Sequence, residues 1–190
     1  MNRIEGDFLN AIECHSLPEI QATLDAGLSP IAKIGGKSLT TCLTEMYYRS
    51  DAFPACLKLL LDRGAVLDDP VIAPVLLNDG EGVRAALKTN PALIQYRTSM
   101  VSTFTPLVGA TLLHVAAEYG NLDAARTLVE LGADIDARAA VDESGFNGHT
   151  PLFHTVNSNA NRSTPIMELL LSAGARTDVP LPGIVWGRGF

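Results

Sequence analysis

Apolar residues recur along this chain in short blocks at three- and four-residue spacing, the pattern of amphipathic helices. Phe8, Leu9, Ala11 and Ile12 form one such face, and Pro18 to Leu24 opens a second helix that Ala26-Gly27 closes. Cys56 to Arg63 reads as a further helix ended by Gly64-Ala65. In the middle, Asp69-Pro70 reads as an N-cap and first-turn proline ahead of Val71, Ile72, Val75 and Leu76. Asn78-Asp79-Gly80 then predicts a turn, and Val83 to Leu87 the next helix, with Asn90-Pro91 as its break. Ala125, Leu128, Val129 and Leu131 make a later face, and Ile166 to Leu171 the last. Between these blocks the segment 92–109 carries the apolar, β-branched run Met100 to Val108, which predicts extended or hairpin structure. Residues 139–148 predict a second long finger, while 47–51 and 158–163 lengthen turns between helices.

The blocks repeat. The clearest unit is Thr111-Leu112-Leu113-His114-Val115-Ala116-Ala117-Glu118-Tyr119-Gly120, a helix through Leu131, and then Gly132-Ala133-Asp134. It recurs as Thr150-Pro151-Leu152-Phe153-His154-Thr155-Val156, with Ile166 to Leu171 and Gly174-Ala175. Threonine suits the N-cap, because its hydroxyl accepts a backbone N–H of the first turn. Proline at the next position has no N–H to leave unsatisfied. The paired alanines allow close helix approach, and Gly120 and Gly132 allow a left-handed end. This pattern resembles the ankyrin repeat, whose consensus begins Thr-Pro-Leu-His-x-Ala-Ala and closes Leu-Leu-x-x-Gly-Ala-Asp. The resemblance implies an all-α solenoid of about five helix–turn–helix repeats with extended hairpin loops, in one domain spanning 1–190. The repeats fall near 4–28, 36–68, 69–97, 110–138 and 149–179, with an irregular segment at 180–190. That segment is too rich in Pro and Gly for a helix and carries the only tryptophan, Trp186. Either it folds back over the fifth repeat or the natural chain continues past Phe190, and continuation is the expectation.

Composition narrows the function. Of 190 residues, 47% are hydrophobic but only 6% aromatic, so the core is aliphatic and alanine-rich, which suits closely packed helices. A formal net charge of −7, with no Lys/Arg cluster, excludes the phosphate-neutralising surface that nucleic acids or anionic membranes require. Three cysteines without a Cys-x-x-Cys spacing argue against a disulfide framework or a thiolate metal site. The N-terminus lacks the apolar core of a signal peptide, and no run is long enough to span a bilayer, so a cytoplasmic location is expected.

Four clusters carry residue types that suggest chemistry. Gly35-Gly36-Lys37-Ser38 has the ending of a phosphate-binding loop, but position 31 is Ile where that motif needs Gly. In the repeat register it is a hairpin tip with Ser38 as helix cap. His149 and His154 lie five apart across a helix start, a spacing that does not place both rings on one face. His114 falls on the consensus histidine, whose implied role is to bond backbone between repeats. Cys14 and His15 are adjacent and point about 100° apart on a helix, so they are poorly placed to share a proton. Cys14 reads instead as a small hydrophobe at the first helix's end. Asp68-Asp69 and Asp142-Glu143 read as cap and loop carboxylates. These readings predict no enzyme activity, no cofactor and no metal.

The resemblance implies a protein–protein interaction scaffold that binds on a concave face of hairpin fingers and first helices. Carried onto this chain, the family's contact positions are Lys37, Glu45 and Met46 in the second repeat. In the fourth they are Val108, Ala110, Glu118 and Tyr119, with Phe104 in the preceding loop. In the fifth they are Phe146, Asn147, His149, Asn157 and Ser158. Aromatic residues and Met anchor interfaces well, so Tyr119, Phe146, Met46 and Phe104 lead. Any of them that lowers stability as much as affinity on truncation is a core residue instead. A monomer with an unnamed protein partner is expected, and the irregular connections suggest a divergent, bacterial member. The alternatives are a binding module of a longer multidomain protein, with a catalytic domain beyond residue 190, and a self-assembling structural repeat.

Overall fold

Helix α1 (Arg3–Glu13) begins with reciprocal bonds. The Asn2 side chain accepts the Glu5 N–H at 3.0 Å, and the Glu5 carboxylate accepts the Asn2 N–H at 2.9 Å. It buries Phe8, Ala11 and Ile12 beside Ile20 and Leu24 of α2 (Leu17–Asp25). His15 makes the turn between them at φ +50°, an uncommon conformation for a bulky residue, and its Nδ1 bonds Ser50 Oγ at 2.8 Å. Cys14, expected as a small hydrophobe at the end of the first helix, stands there as the α1 C-cap and is exposed. Strands β1 (Lys33–Ile34) and β2 (Lys37–Ser38) pair antiparallel around Gly35 and Gly36, whose φ values are +57° and +84°. Ser38 Oγ accepts the Thr41 N–H at 3.1 Å and caps α3 (Leu39–Thr44), so Gly35-Gly36-Lys37-Ser38 is a turn and a cap. Helix α4 (Phe53–Asp62) buries Phe53, Cys56, Leu57 and Leu60.

These coordinates come from a computed structural model describing residues 2–102, 107–156, 161–181 and 183; the chain divides into two compact units at Pro70/Val71. The elements above belong to the first. The second holds α5 (Ala73–Leu76), α6 (Gly80–Thr89), a 3-10 helix at Pro91–Gln95, α7 (Leu112–Tyr119) and α8 (Leu122–Glu130). A 3-10 helix at Pro151–Thr155 and α9 (Thr164–Ser172) complete it. Strand β3 (Arg97–Thr98) pairs antiparallel with β4 (Ala110–Thr111). The extended structure expected in 92–109 thus appears at the edges of the apolar run, and residues 103–106 lie outside the described set.

Two asparagines join neighbouring repeats in this unit. Asn78, at φ +53°, accepts the Asp123 and Ala124 N–H groups at 2.9 and 3.1 Å and so caps α8. Asn121 returns the favour, its amide donating to the Val75 and Leu76 carbonyls at 2.7 and 3.1 Å at the end of α5. Helices α6 and α8 meet closely at Gly80, where a Cβ would stand 2.7 Å from Thr127 Oγ1 and 3.1 Å from the Asp123 carbonyl oxygen. The described part of the C-terminal segment folds back over the finger. Arg138 donates to the Pro180 carbonyl at 3.3 Å, and the Gly183 carbonyl accepts the Asn147 N–H at 2.9 Å. Trp186 lies outside the described residues.

Candidate functional site

The first unit contains a groove of about 540 Å³ between α1, the β1–β2 hairpin and the end of α3. Leu9 comes from the edge of the α1 stripe, next to buried Phe8. Ile34 and Cys42 are nearly buried at 7% and 6% exposure, and with Met46 they complete an apolar wall. Burial pushes the Cys42 thiol above its ordinary pKa, which keeps it neutral and part of that wall. Three charged side chains also line the groove: Glu5, Lys37 and Glu45. The Lys37 ammonium bonds the Glu45 carboxylate, and that bond raises the lysine pKa. The carboxylate side chain is 15% exposed, whereas the lysine is 55% exposed.

The second unit holds a buried polar chain. Ser102 Oγ donates to Glu118 Oε1 at 2.8 Å, and the other Glu118 oxygen meets His154 Nδ1 at 2.7 Å. His154 Nε2 in turn meets His149 Nδ1 at 3.0 Å. The sequence expectation for these two histidines is therefore corrected. His149 lies ahead of the Thr150 N-cap and His154 inside the 3-10 helix Pro151–Thr155, so their spacing does not follow an α-helical wheel. His114 Nδ1 accepts the Thr111 N–H at 3.1 Å, and its Nε2 donates to the His149 carbonyl at 3.0 Å. This is the backbone bond between repeats that the resemblance implies. Burial above all, then the nearby His154, holds the His114 pKa well below the histidine range. Hydroxyl and imidazole sit on opposite oxygens of Glu118, so the acid is the centre of the chain. A Ser-His-acid relay needs the imidazole in that place. The arrangement fastens the loop at Ser102, helix α7 and the segment from His149 to His154 together. Among the described residues no group of three or more His, Cys, Asp or Glu side chains is arranged to hold a metal. Nor is any described helix long and apolar enough to cross a membrane.

The predicted contact residues separate by exposure. Lys37, Glu45 and Met46 converge on the groove. Val108 and Phe146 stand on fingers of the second unit at 50% and 40% exposure. Tyr119 and His149, at 3% and 0%, are packed inside, as are Asn147 at 8% and Ala110 at 0%. The surface role predicted for these four is corrected, because each faces the interior of its own unit. The Glu118 side chain, 8% exposed, is likewise engaged by Ser102 and His154. Phe104, Asn157 and Ser158 lie outside the described residues. Sequence reasoning missed Glu5, Leu9, Ile34 and Cys42 in the groove. The available signal was Leu9, which sits at the margin of its helical stripe instead of its centre.

A family model described as ankyrin repeats (3 copies) matches residues 47–180, well over half of the chain. No curated protein matches the sequence.

Proposed function

We propose that this chain, which belongs to the ankyrin-repeat family, is a protein-binding scaffold that performs no reaction of its own. Ankyrin repeats are generally protein–protein interaction modules, and that general role is the premise. The observation that carries the reading to a place is the groove of the first unit. Lys37, Glu45 and Met46, chosen from the repeat register alone, converge there with Leu9, Ile34 and Cys42. A cavity of about 540 Å³, mostly apolar with a few placed polar groups, has the size and lining of a recognition site. A second contact region is assigned to the exposed finger residues Val108 and Phe146. The net charge of −7 favours a partner of neutral or basic surface.

The test is affinity capture of partners with the wild-type chain and with Met46→Asp, Phe146→Ala and a control, Lys58→Ala, on the exposed side of α4. A partner that binds the wild type and the control, but loses at least about tenfold in affinity to Met46→Asp at unchanged melting temperature, supports the groove. Equal binding by all variants refutes the assignment of both surfaces.

A further inference from the structure

We infer that the groove of the first unit takes a cationic side chain, an arginine flanked by aliphatic residues of a protein partner, and that Lys37 occupies its place until it arrives. This rests on the reading of the groove as a docking surface and adds the chemistry of what docks. The Glu45 carboxylate sits 15% exposed on a wall that includes Leu9, Ile34 and Met46. A carboxylate withdrawn that far from water needs a cation, and here the cation comes from the chain itself. Lys37 is ill suited to keep the position. It is 55% exposed, lies beside the two-glycine hairpin tip, and carries a compact, strongly hydrated ammonium on a flexible stem. A guanidinium is planar, less hydrated and matched to both carboxylate oxygens at once. Its exchange for Lys37 leaves Glu45 paired throughout, so docking exposes no buried charge.

The rest of the groove fits the same occupant. Glu5 adds a second carboxylate at the α1 end, where it also accepts the Asn2 N–H. Two carboxylates, Glu5 and Glu45, thus line a groove whose other walls are apolar. The aliphatic neighbours of the arginine cover Leu9, Ile34 and Met46. An acidic side chain meets both glutamates, and an uncharged one leaves the Lys37–Glu45 bond in place. At a net charge of −7 the whole chain also draws a cationic segment toward it.

The experiment titrates three capped tripeptides into the isotope-labelled full chain and follows backbone amide resonances at low salt. The probes are acetyl-Leu-Arg-Leu-amide and its norleucine and glutamate counterparts. The arginine probe is expected to move the amides of Gly35, Lys37, Glu45 and Met46 and to bind about fivefold more tightly than the norleucine probe. Lys37→Met should strengthen arginine binding about threefold, and Glu45→Gln should weaken it about fivefold. In the wild type, affinity for the arginine probe should fall several-fold from about 0.02 to 0.3 M salt, a measurement independent of any variant's folding. Equal or better binding of the norleucine or glutamate probe overturns the inference while leaving the docking surface intact. An unchanged affinity in Glu45→Gln, or a weaker one in Lys37→Met, overturns it too. If no probe moves the groove amides, both the inference and the docking reading fall.

Discussion

Thr111 and Thr150 each begin a Thr-x-Leu segment that ends in histidine, but His114 comes three residues on and His154 four. At three residues the ring folds back onto the cap. Thr111 Oγ accepts the His114 N–H, the Thr111 N–H reaches His114 Nδ1, and an α-helix of eight residues follows. At four residues that box does not form. Thr150 makes no side-chain cap bond, the segment winds as a five-residue 3-10 helix, and His154 turns to Glu118 and His149. Phe153 stands where His114 does in the repeat register, and the histidine one position later, His154, bonds at long range instead of capping. Helix α7 is held by its own motif. Its counterpart at Pro151–Thr155 is held by its neighbour.

The contrast can be broken in a definite order of effect. Replacing His114 with Ala removes the bonds to Thr111 and the His149 carbonyl in a fully buried place, and should cost about 4 kcal/mol in urea unfolding. A loss below about 1 kcal/mol would show that the ring is not the tie between these repeats. Next, His154→Ala withdraws the imidazole from a carboxylate that is only 8% exposed, for an expected loss of about 3 kcal/mol. Glu118→Gln should make the His154 substitution milder, and additive losses in the double variant would mean the two side chains are not coupled.

Acid acts on His114. The folded pKa of His114 is depressed, mainly by burial, so between that value and about 6.5 the unfolded chain binds a proton that the fold does not. Stability is therefore complete above about pH 6.5 and falls below it, by up to about 1.4 kcal/mol per pH unit from this group. Urea midpoints measured across that range should be flatter for His114→Gln than for the wild type; equal slopes would remove His114 as the cause. The smallest effects compare the two threonines. Thr111→Ala should cost about 1 kcal/mol, and Thr150→Ala less than about 0.5 kcal/mol of capping energy. Equal losses would mean that the caps do not distinguish the two helices.

The sequence could be read wherever a local rule settles the outcome. Gly120 closes α7 at φ +70°, Ser38 caps α3, the adjacent Ala116 and Ala117 are both buried, and Leu57 and Leu60 are buried at helical spacing. It was misleading wherever a residue's surroundings come from elsewhere in the chain. Tyr119 occupies a contact position in the repeat register, but it packs inside at 3% exposure. His149 and His154 meet across the start of a 3-10 helix, a geometry that no periodicity announces. In the groove, Lys37, Glu45 and Met46 were accessible from the motif. Leu9 and Ile34 join them through the fold of α1 and the hairpin, which sequence spacing does not report.

The crossed asparagines also bear on how such a chain changes over generations. Asn78 serves the helix that follows Asn121, and Asn121 serves the helix that precedes Asn78, so each residue's benefit is collected in the other's repeat. A repeat copied, deleted or shuffled alone would arrive with half of a joint. Recombination should therefore keep residues 73–130 together as one inheritable block, while the fingers on either side remain free to vary in length.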